Sequence, residues 1–356
     1  MEIKQLHPLT SLRFVFALMV FFSHLAYLEE SQNEGLQQLY TQVFSQGYIG
    51  VGFFFILSGF ILTHVYSARW QERKQERRKF YILRIARIYP LHLLTLLVAA
   101  PLMLYNIVWG PELLAISVSN LTLTQAFIPD IDYNFSYNGV SWSISCELFF
   151  YLCFPFLLLW WRQLKALKYF LFFILTALLL VLMITIPASW HNSLFYVHPL
   201  SRILDFILGI FLYELYRYIK RINFSTMQGS FLELGGISLL VLFFCFRESV
   251  PDSFLHSIYY WIPMCVIIAT FSLQRGYISQ LLSRKPAIWL GEISFGFYMW
   301  HHLVLRYFHA INRRLNFMEN EIVIGLTCLF FTILIAGCSF QYFERPSNKW
   351  VRTFLK

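Results

Sequence analysis

Arg13 and His24 stand eleven residues apart in one apolar run, Leu12 to Leu28. Eleven residues is close to three helical turns, so both side chains point from one face. A charge inside a bilayer costs roughly 2.5 kcal/mol or more, which marks that face as a candidate functional site. A neutral imidazole there can take the proton of an attacking hydroxyl, the work of a general base. The plainer role for His24 is a hydrogen bond that packs one helix on another.

Other misplaced polar groups recur along the chain. Arg84 and Arg87, three apart, share a helix face, and their planar forks match phosphate oxygens. They form a phosphate clamp or a pair reaching to lipid headgroups. The basic residues just before them (Arg69, Arg73, Lys74, Arg77, Arg78, Lys79) favour a polyanionic ligand, and Pro90 loosens the helix beside them. In the second apolar run Gly47, Gly50, Gly52, Ser58 and Gly59 admit close approach of a helix or of a ligand chain. In the fourth, Glu147 lies about two turns in and must be paired or protonated. It shares a face with Ser143, and Trp142 offers a flat surface to a sugar ring. Glu147 is read either as the acid that orients His24 or as a structural partner of an arginine.

Arg202 and Asp205 are three apart and are expected to pair with each other. Tyr298 is stacked over His301 and His302 by helical spacing, and the two adjacent histidines point different ways, which makes them a poor metal pair. Glu344-Arg345-Pro346 closes the last apolar run, with Pro346 ending the helix and Glu344 answering an arginine. No zinc signature, P-loop or GxSxG elbow appears, so no metal site is predicted.

These groups need apolar helices to hold them. The 356 residues are 58% hydrophobic, 19% aromatic and 13% charged, with mean hydropathy +0.57. A soluble domain of this size could not hide so much apolar surface. The fold class is all-α, a polytopic membrane protein in a single domain, 1–356. A β-barrel is excluded because the apolar runs are near 20 residues and do not alternate. The six cysteines lie in apolar stretches without a CxxC pair and read as small buried hydrophobes. The first run contains Arg13 and lacks a small-residue cleavage site, so it reads as a span and not a signal peptide.

About ten spans are predicted, near 10–28, 47–67, 81–103, 140–161, 168–187, 200–219, 230–246, 256–273, 288–309 and 321–342. Basic residues alternate between the connections. Lys4, the cluster at 69–79, and the groups at 162–168, 220–221, 275–285 and 345–356 fall on one side. Segments 29–46, 104–139 and 188–199 hold no Lys or Arg, and only Arg247, Arg313 and Arg314 break the pattern. The positive-inside rule places the basic side, with both termini, in the cytoplasm. The net charge of +9 therefore faces anionic lipid or a cytosolic anion, with no nucleic acid implied. Residues 110–128, apolar but sprinkled with Ser, Thr, Asn and Gln, read as an interfacial or re-entrant helix.

In order along the chain, LTSLRFVFALMVFFSHL, GVGFFFILSGFIL, FYILRIARIYPLHLL, SWSISCELFFYL, SFGFYMWHHL and FERP resemble the acyltransferase-3 family of bacterial integral-membrane O-acyltransferases. The resemblance implies a ten-helix domain in the bacterial inner membrane. It implies transfer of an acyl group, usually acetyl, from acyl-CoA to a hydroxyl of an exported or surface carbohydrate. Acyl-CoA would be a co-substrate, with no permanently bound cofactor. His24 resembles the family's catalytic base, and Arg84 and Arg87 its donor-binding motif. Arg13 is a further functional residue, and Glu147 maps onto an acidic position. Ser58 is expected beside the donor, and Trp142, Ser143 and His301 beside the acceptor. The donor arm is expected to pass through the Gly/Ser-lined gap beside the second span. The chain stops at 356 without an appended hydrolase-like domain and so looks like the stand-alone form. A transporter or flippase for a small anion or lipid-linked sugar, and a non-catalytic partner in polysaccharide synthesis, are the rival readings.

Overall fold

In hydrocarbon every backbone group must be satisfied internally, so long apolar runs become helices. The computed structural model describes residues 5–67, 74–104 and 110–353; these contain helices and no strand. Lys4, Arg69, Arg73 and Lys356 of the predicted basic side, and the Lys74 side chain, lie outside the described residues. The helices in chain order are α1 His7–Ser23, α2 Glu34–Gln42, α3 Gly50–Tyr66, α4 Lys74–Leu104, α5 Pro111–Thr122, α6 Ile131–Asn134, α7 Trp142–Gln163 and α8 Leu167–Thr185. They continue with α9 Pro199–Ile219, α10 Thr226–Cys245, α11 Asp252–Leu255, α12 Trp261–Ser272, α13 Tyr277–Leu282, α14 Lys285–Leu315, α15 Glu321–Ser339 and α16 Arg345–Thr353.

Each predicted span holds a helix, but the count of ten spans is not reproduced. Among the described residues six helical stretches are long and apolar enough to cross a membrane, or seven if α9 and the bent turn before it form one span. The chain is accordingly a multi-pass membrane protein. The shortfall has physical causes. Helix α1 has 17 residues and α12 only 12, about 26 and 18 Å against a hydrocarbon core of roughly 30 Å. Helix α14 is long enough at 31 residues, but Glu292, Arg306, Arg313 and Arg314 interrupt its apolar character. The predicted interfacial or re-entrant segment is α5, whose 12 residues are too few to cross alone. It lies along α4: the Tyr89 hydroxyl donates to the Leu121 carbonyl (2.8 Å), and His92 Nε2 bonds the Asn120 carbonyl (2.8 Å).

The residues cluster into two compact units interleaved along the chain. One comprises residues to Leu12, Gly52–Arg78 and Cys146–Gly291. In it the backbones of α3 and α9 touch. A Cβ on Gly59 would collide with the Phe206 carbonyl, and one on Gly209 with the Ile56 carbonyl. Small residues at such crossings let two helices approach closely. Arg202 and Asp205 pair as the spacing predicts, Nη2 to Oδ2 2.9 Å, both fully buried. Trp261 Nε1 donates to Asp205, Arg202 Nη1 donates to the His256 carbonyl, and the guanidinium lies 5.1 Å from the Phe55 ring centre. A buried acid that the sequence reading did not single out, Glu233, is neutralised differently. It accepts the backbone N–H groups of Gly276, Ile278 and Ser279 at the start of α13, which are donors without helical partners.

The second unit comprises Arg13–Val51, Lys79–Ser145 and Glu292–Lys356. Phe14 and Phe21 of α1 pack on Phe297 of α14, with ring centres 5.1 and 5.9 Å apart. The chain after α1 is tied down at three points. The Tyr27 hydroxyl donates to the Glu321 carbonyl (3.0 Å), Ser31 to the Glu321 carboxylate, and Tyr40 to the Ser23 carbonyl at the end of α1 (3.1 Å). Helix α15 does not stop at Pro346 as expected. A π turn, Phe340–Glu344, leads into α16, where Pro346 takes the second position. Proline costs a helix little there, because the first-turn N–H groups have no partner to lose.

Candidate active site

Within the second unit, α1 and α14 bring three imidazoles together. Helix α1 ends at Ser23, so His24 is the first residue past the helix and not a mid-helix residue. The last carbonyls of a helix have no intrahelical donor. His24 supplies one: its Nδ1 bonds the Val20 carbonyl at 2.8 Å. That bond puts the proton of the neutral ring on Nδ1 and leaves Nε2 as the bare, basic nitrogen. His301, fully buried on α14, repeats the arrangement, its Nδ1 on the Tyr298 carbonyl at 2.6 Å. Its bare Nε2 then lies 3.4 Å from His24 Nδ1. His302 completes the group, its ring centre 5.1 Å from that of His24.

The support behind these rings is polar and closed. The Ser143 hydroxyl donates to the Tyr298 hydroxyl (2.9 Å), which donates to the Val140 carbonyl (3.2 Å). Asn138 Nδ2 donates to the Met299 carbonyl (2.9 Å). Gly139 faces His302, and a Cβ there would stand 3.0 Å from the imidazole Cε1. A glycine at 139, in the loop before α7, thus leaves room for the ring.

A cavity of about 950 Å³ opens beside the group. His24, Tyr27, His302, Arg306, His309 and Arg313 supply its polar wall; Pro101 and Leu102 of α4 are on its apolar side. Arg306 is held by the loop before α7, its Nη1 donating to the Tyr137 carbonyl (2.5 Å), while the Tyr137 hydroxyl pairs with that of Ser117 on α5 (2.6 Å). Among the described residues no group of three or more ligating side chains is arranged to hold a metal ion.

A second polar cluster lies at the other end of the same two helices. Arg13 of α1 and Arg87 of α4 both act electrostatically on Glu344, which is buried in the π turn. Gly296 leaves space for that carboxylate, since a Cβ would come within 2.9 Å of Glu344 Oε1. Next to it, Arg345 pairs with Glu292 of α14 at 3.0 Å. Glu344 therefore answers two arginines, as the closing motif suggested it would answer one. Arg84, one turn before Arg87, sits with its guanidinium 5.9 Å from the Phe80 ring centre.

The predicted site residues are thus sorted by place. His24, His301 and Ser143 come together, with Trp142 buried beside Ser143 at the start of α7. Arg13 and Arg87 come together eleven residues below His24, with Arg84 on the same helix as Arg87. Glu147 and Ser58 belong to the other unit. There Glu147 accepts the hydroxyl of Tyr151, one turn along its own helix, and Ser58 is half-buried beside the packed Gly59. The Val20 carbonyl engages His24 Nδ1. Of the glycines in the expected Gly/Ser-lined gap, Gly47 and Gly50 lie against α1: Cβ atoms there would strike the Met19 and Phe16 carbonyls. His301, favoured for the acceptor side, stands behind His24, and His302 forms the cavity wall. His302, Arg306, His309 and Arg313 share a face of α14 by their spacing of four, three and four; His302 lies in the SFGFYMWHHL motif, but no motif marks Arg306, His309 or Arg313.

The model of the acyltransferase-3 family, described as an acyltransferase domain, matches residues 7–340. The chain is 30% identical over 341 residues to acyltransferase MdmB of Streptomyces mycarofaciens, covering 87% of this chain and 81% of that one. It is 25% identical over 328 residues to peptidoglycan O-acetyltransferase OatA of Listeria monocytogenes, covering 85% and 51%. It is 24% identical over 344 residues to O-acetyltransferase OatA of Staphylococcus aureus, covering 88% and 55%. The chain thus spans about half the length of the two OatA proteins. No solved structure gives a significant match. With a family match over nearly the whole chain, from α1 through α15, this protein belongs to the acyltransferase-3 family.

Proposed function

We propose that the protein is a bacterial inner-membrane O-acyltransferase. It takes an acyl group, most simply acetyl, from cytosolic acyl-CoA and places it on a hydroxyl of an exported carbohydrate. The observation that carries this reading is His24: a neutral imidazole with Nδ1 engaged and Nε2 bare, in the wall of a cavity large enough for a sugar. The two OatA relatives are named as O-acetyltransferases, one of them of peptidoglycan, which favours acetyl and a polysaccharide.

The chemistry is direct. The acceptor hydroxyl gives its proton to His24 Nε2 as its oxygen attacks the thioester carbonyl. The tetrahedral intermediate collapses with loss of the CoA thiolate, and the imidazolium protonates that sulfur, leaving an ester and free CoA. His301 Nε2 accepts from the Nδ1–H that His24 shares with Val20, which holds the ring in the required tautomer. The donor's phosphates bind Arg84 and Arg87, with Arg13 nearby. On α1 the rise from Arg13 to His24 is about 16 Å, comparable to an extended pantetheine arm. The arm passes beside the α1–α14 seam and not through it, because Phe14, Phe21 and Phe297 fill that seam.

The test is acyl transfer by the purified full chain in nanodiscs. Acetyl-CoA should be consumed with release of CoA, and His24→Ala should stop it. No CoA release by the wild-type chain, alongside transport of a solute, would establish the transporter reading instead.

A further inference from the structure

On the basis of the acyltransferase reading, we propose that the cavity beside His24 is an acceptor subsite for an anionic glycan, one bearing a carboxylate or phosphate. The proposal starts from a face of α14. His302, Arg306, His309 and Arg313 recur at intervals of four, three and four residues, so they form one stripe along the helix. All four line the 950 Å³ cavity. Arg314 lines it too, and with His24 the wall carries three arginines and three histidines. Among the described lining residues there is no Asp or Glu. Arg306 and Arg313 therefore share this wall with no carboxylate among its described residues, and an anion entering the cavity would relieve their mutual repulsion.

The stripe also has a direction. His301 beside His302 is fully buried, Arg306 is half-buried, and Arg313 and Arg314 are exposed. From His302 to Arg313 the helix rises about 16 Å, roughly two or three sugar units. A chain lying along it would place its anionic groups on the arginines and a hydroxyl at His24. Arg306 is pre-set for this, its guanidinium fixed by the Tyr137 carbonyl so that the fork loses little freedom on binding. The positive-inside rule does not account for Arg313 or Arg314. They fall in a connection on the side where segments 29–46, 104–139 and 188–199 hold no Lys or Arg, so they oppose the orientation signal.

The experiment measures binding and catalysis separately on the full chain in nanodiscs. Trigalacturonate, a phosphorylated trisaccharide and neutral maltotriose are titrated by calorimetry at two salt concentrations, and CoA in parallel. At least one anionic probe should bind tighter than maltotriose, with affinity falling as salt rises; which one binds identifies carboxylate or phosphate. Arg313→Gln, an exposed change that leaves the fold alone, should weaken that probe roughly ten-fold, and Arg306→Gln by as much or more, with CoA affinity at its wild-type value. Equal binding of all three probes, or anion binding indifferent to both variants, overturns the proposal. Loss of CoA affinity in Arg313→Gln overturns it in another way, by making the cavity the donor's. Failure of the wild-type chain to release CoA from acetyl-CoA would refute the acyl-transfer reading, a result independent of which glycan binds.

Discussion

His24 and His301 meet at 3.4 Å, Nδ1 to Nε2, and each has its own Nδ1 on a backbone carbonyl of the preceding turn, Val20 for one and Tyr298 for the other. The two helices thereby fix each other's tautomers. A backbone carbonyl cannot rotate away or titrate, so it holds the His24 ring in one tautomer. This makes the base at Nε2 a consequence of where α1 ends.

His24→Ala removes that base. Acyl transfer should fall by a factor of about 100 to 10,000, the usual worth of a positioned general base. The protein should still extract and melt as the wild type does. Full activity in the variant, measured as CoA release, would discard the mechanism.

His301→Ala should act more mildly and differently. His24 keeps its bond to Val20 but loses the wall that holds its ring. The kcat should drop roughly ten- to a hundred-fold with KM for both substrates nearly unchanged, because only orientation is disturbed. A change confined to KM would show that His301 binds substrate instead.

Arg84→Ala with Arg87→Ala should weaken CoA binding roughly ten-fold or more, and the remaining affinity should depend less on salt. Calorimetry with CoA at low and high salt reads both effects. Unchanged affinity would place the donor's phosphates elsewhere.

In the other unit, Asp205→Asn should strand the Arg202 charge in a fully buried position and destabilise the protein by about 3–5 kcal/mol. Replacing both partners, Arg202→Met with Asp205→Leu, should recover part of the loss, since no unpaired charge is then left at that site. Thermal melting in detergent orders the three proteins. If the double variant melts below Asp205→Asn, the pair matters through the other bonds of Arg202, to the His256 carbonyl and the Phe55 ring.

What could be read directly was what depends on local composition. Apolar runs near 20 residues dictate helices, and every predicted span holds one. Arg202 and Asp205 find each other because three residues of helix place them side by side. The motif order was enough to indicate the family. His24, Arg13, Arg84 and Arg87 stood out because charged or titratable groups are expensive in an apolar run.

Tertiary structure decided the rest, because it depends on where helices stop and what they lie against. The end of α1 at Ser23 put His24 just past the helix, with its Nδ1 on the Val20 carbonyl. The lengths of α1 and α12 and the charges of α14 left six or seven stretches fit to span, where composition had suggested ten. The glycines of the second span admit either a helix or a ligand chain by size alone; the structure places Gly47 and Gly50 against α1 and Gly59 against α9. Adjacent His301 and His302 are equivalent as letters; a helix points them about 100° apart, so one backs His24 and the other faces the cavity.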